Sequence, residues 1–130
     1  MSFSEAIKDG FDHYTNFRGR ASRPMFWYWI LFAVLAGIAA NILDALFGSY
    51  PVFSAIVGLG LLLPGLSVGI RRLHDTNRTG WWILIELIPL IGIIVLIVFW
   101  VQESDAGSND YGPPPPDRDP AAPAAPPPAA

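Results

Sequence analysis

No cysteine occurs among the 130 residues, which excludes disulfides, thiolate nucleophiles and Cys-ligated zinc or iron–sulfur centres. Histidine is nearly as scarce: His13 and His74 are the whole supply, too few for a His-built metal site. Charge is thin as well, with 15% of residues Asp, Glu, Lys or Arg, against about 25% in soluble domains. In its place stand 52% hydrophobic residues and a mean hydropathy of +0.41. Lipid is the expected solvent for most of the chain.

Three apolar runs carry that expectation. Phe26 to Phe47 is apolar except for Asn41 and Asp44, and at 1.5 Å rise it reaches about 33 Å, enough to cross a hydrocarbon core of about 30 Å. Val52 to Ile70 carries no charge and is interrupted by Pro64 and several glycines, which predicts a second, kinked helix. Trp81 to Val101 contains one ionisable group, Glu86, and one helix breaker, Pro89. The pattern predicts an all-α integral membrane fold with three transmembrane helices, over about 26–47, 52–70 and 81–101. Pro64, Pro89 and Gly92 are expected only to bend these helices. The small residues Ala36-Gly37-Ile38-Ala39-Ala40 suit a signal-peptide cleavage site, but the run stays apolar beyond them and its leader is long. An uncleaved anchor is expected.

Ahead of the first span, Phe3, Ile7, Phe11 and Tyr14 fall on one helical stripe, and Ser2 followed by Glu5 fits a capping box. Residues 1–25 are therefore read as an amphipathic N-terminal helix, lying in the interface or on the inner ends of the spans, and a basic turn holding Arg18, Arg20 and Arg23. Residues 26–101 form the membrane domain, with an Arg-rich loop at 71–80. Beyond Gln102, Glu103, Asp105, Asp110, Asp117 and Asp119 face one Arg118, and nine of the 13 prolines lie there. Residues 102–130 are predicted to be an acidic, Pro/Ala-rich disordered tail.

Charge sets an orientation. Lys8, Arg18, Arg20 and Arg23 precede the first span, Arg71, Arg72 and Arg78 lie between the second and third, and the 48–51 turn has no basic residue. The positive-inside rule then puts the N-terminus and the 71–80 loop in the cytoplasm. With three spans, the C-terminus falls on the periplasmic or extracellular face.

Three stretches now stand out: Tyr14-x-x-Phe17-x-Gly19-Arg20-Ala21-Ser22-Arg23-x-x-Phe26-Trp27, Arg71-Arg72-Leu73-His74-Asp75-Thr76-x-Arg78-x-Gly80-Trp81-Trp82, and Gly107-x-Asn109-x-Tyr111-Gly112. Together they resemble the DUF805 family of small, YhaH/YhaI-like bacterial inner-membrane proteins, from about Phe11 to Pro113. The resemblance implies a multi-pass bacterial plasma-membrane protein and brings no established activity with it. Members of that family usually carry Gly and Ser where this chain has Asn77 and Thr79. Asn tolerates the left-handed backbone that a Gly position suggests, so the turn is expected to survive.

The candidate functional residues follow from position. Arg18, Arg20, Arg23, Arg71, Arg72, His74 and Arg78, with Trp81 and Trp82, are expected at headgroup depth, where guanidinium groups bind phosphate bidentately. They are candidate contacts for an anionic lipid or an acidic partner, or else anchors that only set topology. His74-Asp75 suggests metal or catalytic chemistry, but there is no nucleophile motif and no second ligand pair. No cofactor, metal site or catalytic residue is expected, and the chain is read as a non-enzyme. Glu86 lies close enough to the interface to pair with Arg71, Arg72 or Arg78. Alternatively, Glu86 and Asp44 mark a proton or cation path in a small oligomeric transporter. Gly65-x-x-x-Gly69, Ser54-x-x-x-Gly58 and Ala36-x-x-x-Ala40 offer close-packing faces, within one chain or in a homo-oligomer. Nucleic acid is not an expected partner, because adjacent hydrocarbon holds the arginines at the bilayer.

Overall fold

A computed structural model describes residues 2–105 and 107–115, and every described helix or turn belongs to an all-helical fold. Four α-helices and one 3₁₀ helix follow in order: α1 (Phe3–Asp12), α2 (Arg23–Leu46), α3 (Val52–Asp75), the 3₁₀ helix Gly80–Leu87, and α4 (Ile91–Trp100). Two of them, α2 and α3, are long and apolar enough to cross a membrane.

Local chemistry explains each start. Ser2 Oγ accepts the Glu5 N–H at 3.2 Å and donates to the Glu5 carboxylate at 2.9 Å, closing the capping box. Ser22 caps α2 through Met25 N–H at 3.3 Å, and Pro24 sits in the first turn, where its missing N–H costs nothing. The Asp44 carboxylate accepts Phe53 N–H at 2.7 Å, Ser54 N–H at 3.1 Å and Ser54 Oγ–H at 2.6 Å. Near the end of α2, Asp44 thereby satisfies orphan donors at the start of α3.

The third apolar run departs from expectation. A single helix over 81–101 does not form; the segment folds back on itself. Pro89 has no N–H to give Ile85 and restricts the residue before it, so Ile88 is extended at φ −95°, ψ 100°. Leu90 follows at φ 68°, ψ −58°, closing a γ-turn in which Ile91 N–H reaches the Pro89 carbonyl at 2.7 Å. Gly92 then lets the returning leg of the hairpin touch the outgoing one, for a Cβ there would stand 1.9 Å from the Ile85 carbonyl oxygen. Both legs are short: eight residues of 3₁₀ helix and ten of α-helix rise about 16 Å and 15 Å, half a hydrocarbon core. Pro64, by contrast, leaves α3 continuous.

Because the hairpin returns, residues 101–105 and 107–112 do not leave on the side opposite the 71–80 loop, as three spans require. They pack against that loop: Asp105 N–H donates to the Asp75 carbonyl at 3.0 Å, and Asn109 Nδ2 to the His74 carbonyl at 2.9 Å. The expectation of a disordered tail from 102 onward is corrected for its first part, which forms a strap closed by the Asn109–Gly112 bridge. Residues 116–130 lie outside the described residues.

The core sits at the same end. Phe26, Trp29, Val68, Leu73, Leu96 and Trp100 form one buried cluster, while Leu35, Ile38, Ile42, Leu59 and Leu62, farther along α2 and α3, stay exposed. On α1 the residues that go deepest are Ala6 and Gly10 rather than the predicted aromatic stripe, because the Trp29 indole fills the space a larger side chain would take. Phe11 meets Trp29 and Phe32 edge-on at 5.3 and 5.9 Å. Gly65 and Gly69 face Trp29, Ile83 and Trp100 within the chain.

Candidate functional site

The basic turn before α2, the last turn of α3 and the strap converge on one buried carboxylate. Asp75 takes Arg20 Nε at 2.9 Å and Arg72 Nη1 at 2.6 Å, and all three side chains are fully enclosed. Ser104 Oγ donates to the same carboxylate. Each arginine spends its remaining N–H groups on backbone carbonyls. Arg20 reaches Asp105 at 2.7 Å and Gly107 at 2.6 Å; Arg72 reaches Trp100 at 3.1 Å, Ala21 at 3.3 Å and the Gln102 carbonyl. Apart from that of Ala21, which lies in the turn before α2, those carbonyls are ones that the C-terminus of α4 and an irregular strap leave unpaired.

A second pair lies beside it. Arg71 Nη1 meets Asp9 of α1 at 3.1 Å, its Nε donates to Ser67 Oγ at 3.2 Å, and Ser67 in turn donates to the Asn16 carbonyl at 2.7 Å. His74 Nδ1 lies 3.0 Å from the Gly19 carbonyl, and its ring stacks on Tyr111 at 4.0 Å between centroids. Asn77 adopts the left-handed conformation at φ 59°, and its side chain accepts Asp110 N–H at 3.0 Å.

This placement corrects several expectations. Arg20, Arg71, Arg72 and His74 are buried in protein rather than presented to headgroups. Arg23 Nη1 donates to the Val101 carbonyl at 3.1 Å. Arg18 is exposed, and Arg78 donates to Thr76 at 2.8 Å while lying 4.2 Å over the Phe99 ring. Trp81 and Trp82 stand outward, Trp81 at 76% exposure. Glu86 does not meet Arg71, Arg72 or Arg78; it lines a groove of about 330 Å³ with Phe26, Gly65, Gly69 and Trp100, and among the described residues it has no ion pair. Asp44 is occupied in capping α3.

Charge balance changes too. The strap brings Glu103, Asp105 and Asp110 to the arginine end, so that Lys8 and six arginines stand with Glu5, Asp9, Asp12, Asp75 and those three acids. The surplus of positive charge expected there is local rather than general. Sequence reasoning missed Asp9, Ser67, Ser104, Asn109 and Tyr111 as parts of the cluster; the Gly107-x-Asn109-x-Tyr111-Gly112 pattern was the signal for two of them. Among the described residues no group of His, Asp and Glu is arranged to hold a metal.

Comparison with known proteins agrees on location. The chain is 41% identical to the inner membrane protein YhaI of Escherichia coli K12 over 101 residues, covering 77% of this chain and 86% of that one. It is 39% identical to the inner membrane protein YhaH of the same strain over 108 residues, covering 79% and 89%. No solved structure matches. Residues 14–113 match the family described as protein of unknown function (DUF805), a span that takes in both arginine turns, the hairpin and the strap, and the chain belongs to that family of bacterial inner-membrane proteins.

Proposed function

We propose that this protein is a non-enzymatic accessory component of the inner membrane that contacts anionic headgroups, or an acidic partner, at the exposed rim of its arginine end. It crosses the bilayer with α2 and α3 and dips the 80–100 hairpin in from the cytoplasmic side. The N-terminus, the 71–80 loop and the strap then share that side. The positive-inside rule supports the orientation, since seven of the eight basic residues collect there, and the Arg20–Gly107 and Asp75–Ser104 contacts support the shared face.

The observation that carries the reading is the grouping of Arg78 with exposed Trp81 and Trp82, where the polar cap gives way to the apolar hairpin. An apolar cleft of about 450 Å³ opens beside them, lined by Phe17, Ile70, Trp81 and Leu84. A cation and indole rings above such a cleft match a lipid's two parts, head and chain. Native mass spectrometry of protein released from mixed bilayers tests this. Phosphatidylglycerol should be retained over phosphatidylcholine, and Arg78→Gln with Trp81→Ala should weaken the preference about fivefold, as expected for roughly 1 kcal/mol per cation near the surface. Bound lipid that mirrors the bulk composition would sink the reading. Reporters fused to the two ends should both answer from the cytoplasm.

The alternative, a subunit of an oligomeric proton- or cation-coupled transporter, has Glu86 in its favour: a carboxylate without an ion partner in an otherwise apolar groove. Its test is Glu86→Gln in reconstituted vesicles, which abolishes coupled flux on that reading and leaves lipid retention untouched on the first.

A further inference from the structure

We propose that the cavity between α1, the basic turn and the strap binds a phosphate group, carried either by a lipid headgroup or by a free phosphate. The inference rests on the reading that the arginine end engages anions, and it names a site distinct from the Arg78–Trp81 rim. The cavity measures about 260 Å³, and Asp9, His13, Arg18, Arg20, Arg71 and Tyr111 line it, with the strap's prolines closing one side. That volume lies below the range of about 300–1,000 Å³ of sites for drug-sized molecules, so it suits one small group.

Charge selects the sign. Three guanidinium groups and one carboxylate contribute to the wall, and Asp75, the counter-ion of Arg20, lies behind it and is shared with Arg72. Asp9 is already engaged by Arg71 Nη1 at 3.1 Å and by His13 Nδ1 at 3.3 Å. Arg18 has no side-chain partner among the described residues; only its backbone N–H is bonded, to Asn16 at 3.0 Å.

The decisive feature is Arg71. Its residue is 2% exposed and its Nη2 is buried with no hydrogen-bond partner, although Nε and Nη1 are both bonded. An unmet donor on a buried cation is costly, and in native proteins such a group calls for an ion or water to complete it. A phosphate oxygen completes it well, because guanidinium and phosphate match in geometry and charge. Seating the anion draws Nη2 from behind the cavity wall, with Arg18 closing from the solvent side. Tyr111, stacked on His74, holds the strap in place as the opposite wall.

The test uses the full chain in neutral detergent and follows thermal unfolding. Inorganic phosphate is titrated against sodium chloride of equal ionic strength, and phosphatidylglycerol against phosphatidylcholine in mixed micelles. Saturable stabilisation by inorganic phosphate identifies a free-phosphate site; stabilisation by phosphatidylglycerol alone identifies a headgroup site. In either case Arg18→Gln, at an exposed position that the fold does not depend on, should weaken the apparent affinity roughly tenfold or more, the worth of one charge-assisted hydrogen bond. Arg71→Lys, which keeps the charge but replaces the three-nitrogen planar fork by one ammonium, should do the same. The proposal is overturned if neither probe stabilises beyond its control, which leaves a water as the partner of Nη2, or if both variants bind as the parent does. Phosphatidylglycerol retention that responds to Arg78→Gln but not to Arg18→Gln or Arg71→Lys removes the cavity and keeps the rim. Phosphate binding in the cavity without any lipid preference does the reverse.

Discussion

Asp75→Asn puts the largest load on the structure. The carboxylate stands 2.9 Å from Arg20 Nε and 2.6 Å from Arg72 Nη1, with all three side chains enclosed. Asparagine keeps the volume and one acceptor, but it removes the only anion between two buried cations and turns an NH₂ toward one of them. Breaking a buried ion pair by deleting one partner costs about 3–5 kcal/mol, because the surviving charge stays desolvated. Here two charges survive, so the upper part of that range is expected in denaturation followed in mixed micelles. The strap should loosen first, since Asp105 is bonded to the Asp75 backbone and Ser104 to its carboxylate; limited proteolysis between 101 and 115 reads this directly. Replacing Arg20, Arg72 and Asp75 together with apolar residues of like volume should recover much of the loss, as such swaps are often neutral. An Asp75→Asn protein within about 0.5 kcal/mol of the parent, its strap equally protected, refutes the buried cluster.

Gly92→Ala drives a methyl group into backbone atoms, 1.9 Å from the Ile85 oxygen and 2.6 Å from its carbon, so the hairpin should open at a cost of about 1–3 kcal/mol or more, measured by thermal unfolding. Gly10→Ala places a Cβ 2.3 Å from the Trp29 ring; α1 should lift from α2, with amide exchange over residues 3–12 accelerated roughly five- to hundredfold for a similar penalty. Asp44→Ala strips three acceptor contacts from the start of α3 and should cost about 0.5–2 kcal/mol, the usual loss of a cap. Asp44 lies at the far end of α2 from the arginine cluster, so its effect should add to that of Asp75→Asn within about 0.5 kcal/mol in the double variant; strong coupling would contradict the separation of the two ends.

Legibility in the sequence followed the range of the interactions. The α1 cap at Ser2 and Glu5, the starts near Pro24 and Val52 and the left-handed Asn77 were all readable, because each is decided within four residues. The 81–101 segment is not decided that way: hydropathy counts apolar length, while the hairpin depends on what Pro89 and Gly92 do together. Pro89 alone was compatible with a bend, as Pro64 is inside α3. Gly92 has no local sequence signal, because its role lies in contact with the Ile85 backbone. A spanning helix over 81–101 places the strap opposite the 71–80 loop, where its acids and prolines have the composition of a solvated tail; the hairpin returns it to that loop. The partners of Arg20, 55 residues away at Asp75 and 87 at Gly107, have no signature in local spacing.

Lipid tails are as apolar as leucine, so bringing Leu or Ile together between helices gains little in a bilayer; close packing and interhelical hydrogen bonds decide the arrangement instead. The distribution of order in this protein follows that rule. Leu35, Ile38, Ile42, Leu59 and Leu62 stay on the surface of α2 and α3, and at their far end Asp44 and the short turn do the joining. At the arginine end, three segments distant in sequence meet through side chains that must find carbonyls. Arg72 reads the register of α4 directly, through the Trp100 and Gln102 carbonyls. A slip of one residue in the hairpin rotates both out of reach and leaves Arg72 Nε and Nη2 without those acceptors, while Nη1 keeps Asp75 and Ala21, a penalty of about 1–3 kcal/mol for each donor left unmet. Those two contacts tie the register of the hairpin to the arginine cluster, a constraint that apolar contacts with lipid or Leu do not supply.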